Sequence, residues 1–100
     1  MAYFVYILTN RSNTLYVGST KNLQNRLKQH IRGKSPHFTA KYNLNKLIYY
    51  KKFEDSTNAY SMEKKIKGWT RKKKMELIKN LNPGFIELTI KDEINSEILH

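Results

Sequence analysis

Tyr6 and Tyr16, Arg26 and His30, and then Glu63 set among Lys64, Lys65 and Lys67 are the side chains of this sequence best suited to chemistry. A lone carboxylate among lysines is a hard oxygen ligand for one Mg²⁺ ion that keeps its remaining waters. Arg26 can fork onto an anionic oxygen. Tyr6 or His30 is placed to accept a proton, and Tyr16 to orient a water molecule or an anion. Hydrolysis of a phosphodiester asks for these parts: an activated water, neutralised charge on the phosphoryl oxygens, and help for the leaving oxygen. Each residue also has an ordinary structural role. Strand tyrosines are commonly core, and Glu63 with Lys67 is an everyday i,i+4 helix pair.

The elements that must position these residues are legible in the pattern. Tyr3 to Leu8 is an apolar, aromatic run with β-branched Val5 and Ile7, the composition of a strand buried on both faces. Asn10, Arg11, Ser12 and Asn13 favour a reversal, and the chain returns as Leu15-Tyr16-Val17, which makes a β-hairpin. With the turn centred on Arg11 and Ser12, Tyr6 and Tyr16 fall near one level. Gly18 ends the second strand where a side chain would obstruct close approach, and Ser19 or Thr20 caps a helix that starts near Asn22. Leu23, Leu27 and Ile31 form the buried stripe of that helix, with Arg26 and His30 as a pair on its flank. One hairpin and one helix therefore bring two phenols, a guanidinium and an imidazole to a shared edge.

Val5-Tyr6, nine residues, Tyr16-Val17-Gly18, and then Lys21-Asn22-Leu23, Asn25-Arg26 and His30 one turn on together resemble the GIY-YIG nuclease domain. The likeness spans nearly the whole chain and is nearest to the small stand-alone members. It also extends to the amino-terminal nuclease domain of the repair protein UvrC. The resemblance implies an α+β fold, a three-stranded antiparallel sheet flanked by helices in the order β-β-α-β-α-α. It also implies a Mg²⁺- or Mn²⁺-dependent endonuclease with a single ion, acting on DNA in repair or recombination. By that resemblance Tyr6 is the general base, Arg26 the phosphate clamp and Glu63 the sole metal ligand. Tyr16 matches the second motif tyrosine, and His30 a position that carries His or Tyr. Two departures stand out. The first motif half reads Phe4-Val5-Tyr6, without its glycine, and Ser19 follows Gly18 where repair-nuclease relatives carry a lysine. Lys21 is the substitute cation at hand, and the lost one implies weak or DNA-structure-dependent activity.

Farther along, Arg32 to Pro36 stops the first helix. His37 to Tyr42 then alternates basic and aromatic residues, suiting either phosphate contact with base stacking or cover for the core edge. Lys46 to Phe53 is a third strand that pairs with the hairpin. Ser56 or Thr57 caps a helix with a core stripe of Ala59, Met62, Ile66 and Trp69, and Glu63 lies just off that stripe. Gly68 interrupts the pattern. Thr70 caps a last helix carrying Met75, Leu77, Ile78 and Leu81, whose first turn, Arg71-Lys72-Lys73-Lys74, has the wrong sign for the positive end of a helix dipole and suits a phosphate. Asn82-Pro83-Gly84 ends it, and Phe85 to Ile90 lies back over the fold as a latch. The reading is one domain over residues 1–90 with a short acidic tail over 91–100.

Nineteen Lys and Arg against eight Asp and Glu give a formal charge of +11, so the expected partner is a polyanion. The cations expected at nucleic acid are Lys21, Lys41, Lys64, Lys67, Arg71 and Lys72. Without cysteine the chain has no disulfide, thiolate zinc site or cysteine nucleophile. No apolar run approaches membrane-spanning length and no signal-peptide pattern opens the chain, so a cytoplasmic protein is expected. The competing reading is a nucleic-acid-binding module that keeps the fold without cutting. A nuclease of another class, suggested by Asp55 with Glu63-Lys64-Lys65, needs those residues on adjoining strands, whereas Glu63 reads as helical. A partner protein or a second copy would supply targeting.

Overall fold

A computed structural model describes residues 2–31, 44 and 46–88, with only the backbone of His30 and Ile31. The elements are β1 (Tyr3–Thr9), β2 (Tyr16–Thr20), α1 (Leu23–Ile31), β3 (Lys46–Phe53), α2 (Ser56–Lys67) and α3 (Arg71–Leu81). They form the expected α+β arrangement, with a three-stranded sheet in the order β2-β1-β3 and antiparallel pairing throughout. The basic–aromatic stretch from His37 to Tyr42, Lys41 included, and the acidic tail lie outside the described residues.

β1 is the central strand, and its unbroken apolar run follows from that place. Val5, Ile7 and Val17 pack with Ile48 and Tyr49 against Ala59 and Ile66 of α2 and Ile78 of α3. Tyr6, Leu8, Leu44 and Leu47 pack on the opposite face against Leu23 of α1, with Leu27, Tyr16 and Tyr50 at the margin. Alternate residues of one strand thus serve two cores, each fully buried Val, Leu or Ile contributing roughly 1.5–3 kcal/mol. Pairing between β1 and β3 steps from Ile7↔Tyr49 to Leu8↔Leu47, so Ile48 is the extra residue of a β-bulge. The bulge lets Ile48 and Tyr49 face the same core.

Several local expectations change. β2 does not end at Gly18 but continues to Thr20, with Gly18 opposite Tyr6. Asn22, not Ser19 or Thr20, caps α1 through its side-chain oxygen, which accepts from the Asn25 N–H at 2.9 Å. Asp55 replaces Ser56 or Thr57 as the cap of α2, accepting from the Asn58 N–H at 2.7 Å and the Asn58 side-chain amide at 3.0 Å. In both cases an Asx side chain one or two residues from the expected cap accepts the orphan amide. Thr70 caps α3 as expected, accepting from the Lys73 N–H at 3.2 Å. Gly68 terminates α2, and Leu81 faces solvent instead of joining the α3 stripe.

The latch is present as far as it is described. Phe85 packs on the α2/α3 core, Leu88 packs on the α1 core, and the Leu88 N–H donates to the Leu47 carbonyl at 2.7 Å. Phe85 holds a left-handed φ of 52°, a costly conformation for a bulky residue, at the end of the Asn82–Phe85 turn.

Candidate active site

Two asparagines shape the hairpin. The Asn10 side chain accepts from the N–H groups of Ser12 and Thr14, both at 3.0 Å, and the Asn13 N–H donates to the Asn10 carbonyl at 3.0 Å. Asn13 takes a left-handed φ of 59°, which its short polar side chain tolerates. The loop sets the register Leu8↔Tyr16 and Tyr6↔Gly18. The tyrosines are therefore diagonal neighbours on one face, not level partners, and their ring centroids lie 6.3 Å apart.

Gly18 is required by packing. A Cβ there would stand 2.7 Å from the Tyr6 hydroxyl oxygen and 2.8 Å from Cζ. The Tyr6 phenol lies across this missing side chain, 1% exposed. Capped by Asn22, α1 begins just after β2, so Arg26, one turn in, meets the phenol with its guanidinium and hydrogen-bonds the hydroxyl. Burial pushes the Tyr6 phenol well above its ordinary range. The neighbouring Tyr16 and the Glu63 charge act in the same direction, while Arg26 opposes them. The phenol is consequently protonated at neutral pH.

Glu63 arrives from the other face of the sheet. Val17 and Ser19 of β2 point toward α2, and the Ser19 hydroxyl donates to Glu63 Oε1. Lys67 Nζ sits 2.6 Å from Oε2, with the glutamate side chain 12% exposed and the lysine 50% exposed. The structure thus gathers Tyr6, Tyr16 and Arg26 on the α1 side of β2, and Ser19, Glu63 and Lys67 on its α2 side.

The GIY-YIG catalytic domain family matches residues 2–76 of this sequence. The chain belongs to the GIY-YIG family. A UPF0213 protein of Clostridium perfringens is 40% identical to it over 75% of this chain and 81% of its own length. One from Oceanobacillus iheyensis is 38% identical, over 76% of this chain and 88% of its own length. The solution structure of a UPF0213 protein from Bacillus halodurans superposes with a TM-score of 0.55 at 30% identity, covering 84% of this chain and 88% of that one. Among the described residues no helix is long and apolar enough to cross a membrane.

In this GIY-YIG domain the remaining expected contacts are dispersed. Lys21 Nζ lies 5.9 Å from the Tyr3 ring centroid, and Lys64 Nζ 4.8 Å from that of Tyr60. Arg71 and Lys72 are exposed on the first turn of α3. His30 sits on α1 one turn past Arg26, with its side chain outside the described residues. Ser19 is the residue whose role sequence reasoning missed. It read as a lost cation, yet it fixes the carboxylate of a residue 44 positions away, a relation with no one-dimensional signal. Among the described residues no group of three or more His, Cys, Asp or Glu converges. A single carboxylate fits a hard divalent ion that keeps several waters, such as Mg²⁺ or Mn²⁺, and does not fit a closed zinc-type cage.

Proposed function

We propose that this GIY-YIG domain is a divalent-metal-dependent endonuclease that hydrolyses DNA phosphodiester bonds. The observation that carries the reading is a guanidinium hydrogen-bonded to a buried phenol on one side of β2 and a carboxylate oriented by a serine on the other. In the reaction a water oxygen bonds to phosphorus and the bond to one ester oxygen breaks. The water gives up a proton and the leaving oxygen gains one, yielding a phosphomonoester and an alcohol. Arg26 binds a non-bridging phosphate oxygen and offsets the charge that grows there. Glu63 would hold the metal, which when bound would supply further neutralisation of the phosphoryl oxygens and lower the cost of deprotonating water. Ser19 keeps that carboxylate in one rotamer, and Lys67 balances its charge when the site is empty of substrate.

Tyr6 acts first as a hydrogen-bond donor that orients the water or phosphate. It becomes a base only when added positive charge lowers its phenol, because burial otherwise holds the proton in place. The same observation favours the second reading, a binding module that keeps the fold without cutting. Repair or recombination in the cytoplasm is the setting we assign to either.

Cleavage of labelled single-stranded, duplex, flapped and branched DNA with Mg²⁺ or Mn²⁺ decides between them, using wild type beside Glu63→Ala and Tyr6→Phe. Cutting by wild type that drops at least about a hundredfold in Glu63→Ala and is lowered in Tyr6→Phe supports the enzyme. Binding without cutting, equal in all three proteins and steeply salt-dependent, supports the module.

A further inference from the structure

Beside the catalytic residues lies a second feature that the cleavage chemistry does not use. An open cleft of about 470 Å³ runs between the amino-terminal half of α2 and the end of β2. Tyr3 and Tyr60 line it together with Ser19, Thr20 and residues of the first turns of α2. The volume falls within the roughly 300–1,000 Å³ of small-ligand sites.

We propose that this cleft receives one unpaired nucleotide of a DNA strand next to the bond being cut, with its base stacked on Tyr60. Four observations converge on that occupant. Tyr60 is 55% exposed, an aromatic ring presented to solvent instead of to the core. Lys64, one turn on, holds its Nζ 4.8 Å from the Tyr60 ring centroid, and Lys21, itself in the cleft wall, holds its own 5.9 Å from the Tyr3 ring. Each ring thus already carries a lysine ammonium over one face, which places a cation beside a base stacked on the ring and near its phosphate. The remaining wall is mainly apolar with Ser and Thr residues set in it, which suits the face of a base with its polar edges. Finally, Ser19 belongs both to the cleft wall and to the Glu63 carboxylate, so an occupant lies directly beside the proposed metal ligand.

A base inside a duplex is already stacked and paired and has no free face to offer. Occupancy therefore selects substrates with an unpaired nucleotide near the cut, such as flaps, branches and single strands. This selection rests on the nuclease reading, whereas the binding itself does not.

The test measures binding in EDTA, so that nothing is cut, by fluorescence anisotropy of a labelled oligothymidylate and a labelled blunt duplex. Wild type, Tyr60→Ala and Tyr60→Trp are compared, each a surface change. The expected result is a loss of about tenfold in oligothymidylate affinity for Tyr60→Ala, within the range of base–aromatic stacking. Duplex affinity stays within about twofold, the salt slope is unchanged, and Tyr60→Trp binds the single strand at least as well as wild type. Equal loss on both DNAs, or no loss on either, overturns the proposal, as does failure of Trp to restore binding. A domain that never cuts but shows the expected pattern keeps this cleft while losing the nuclease reading. A domain that cuts yet is indifferent to Tyr60 does the reverse.

Discussion

The outer strands of the sheet, β2 and β3, meet the same problem in different ways. A strand at the edge of a sheet exposes backbone groups that need partners. At β3 the chain closes its own edge. The buried Asn82 side-chain amide donates to the carbonyl of the bulged Ile48 at 3.1 Å and to the Ile86 carbonyl at 2.7 Å, while its oxygen accepts from the Ile86 N–H at 3.1 Å. The Leu88 N–H then takes the Leu47 carbonyl. Along β2, which among the described residues pairs with β1 alone, the polar contacts are between side chains: Ser19 of β2 is bound to Glu63 on one face, and Tyr6 of β1, lying across Gly18 of β2, is bound to Arg26 on the other. One edge spends its hydrogen bonds on the fold, and the other orients the charged groups to which the proposed nuclease reading gives a ligand. On that reading, polar contacts of similar geometry serve stability or function according to what else can reach them.

If that division is right, changes at the two edges separate stability from activity. The largest effect is expected for Gly18→Ala. Its Cβ displaces the Tyr6 phenol from Arg26, and cleavage should fall by about a hundredfold, the scale of an ångström-level misplacement. Measured turnover near wild type would show that the phenol position is not critical. Next comes Asn82→Ala, which leaves the buried Ile48 carbonyl without its donor and should cost about 1–3 kcal/mol. A thermal melt should drop by several degrees, with cleavage at low temperature unchanged; lost activity in a protein that melts normally would break the comparison.

Ser19→Ala probes the opposite edge more gently. Freeing the Glu63 carboxylate should reduce cleavage by roughly tenfold, chiefly by raising the metal concentration required, while the melting temperature stays level. Should Ser19→Ala destabilise the fold as Asn82→Ala does, its bond belongs to the fold after all.

The smallest effect is in pH. The Tyr6 phenol is raised above its ordinary value of 10.0, first by burial, and Tyr49 is raised by burial too. Above that value the unfolded chain releases protons that the folded chain retains. The stability is therefore complete below about pH 10 and is lost as the pH rises toward the folded values. Melts should be level from about pH 7 to about 9 and fall at higher pH, less steeply in Tyr6→Phe. An equally steep fall in that variant would assign the alkaline loss to other groups.

Much of this molecule could be read from its residues. The unbroken apolar run of Tyr3 to Leu8 marks a strand buried on both faces, Lys46 to Phe53 a third strand with the observed bounds, and Ala59, Met62 and Ile66 the inner stripe of α2, although Trp69, read into the same stripe, lies past the helix end. Periodicity and composition suffice there, because burial of a strand or a helix face is imposed on consecutive residues. The caps were less legible. Ser, Thr, Asn and Asp compete for one role, and backbone geometry chose Asn22 and Asp55.

Residue types and motif spacing alone singled out Tyr6, Tyr16, Arg26 and Glu63, since a phenol, a guanidinium and a carboxylate carry their chemistry wherever the chain places them. Only the tertiary structure decided that Ser19 holds Glu63, that Asn82 closes the bulge at Ile48, and that Tyr6 is buried deeply enough to keep its proton. Hydrogen bonds across 44 and 34 positions and the desolvation of a phenol depend on what the rest of the chain packs around a residue, which the residue's own neighbours in sequence do not specify.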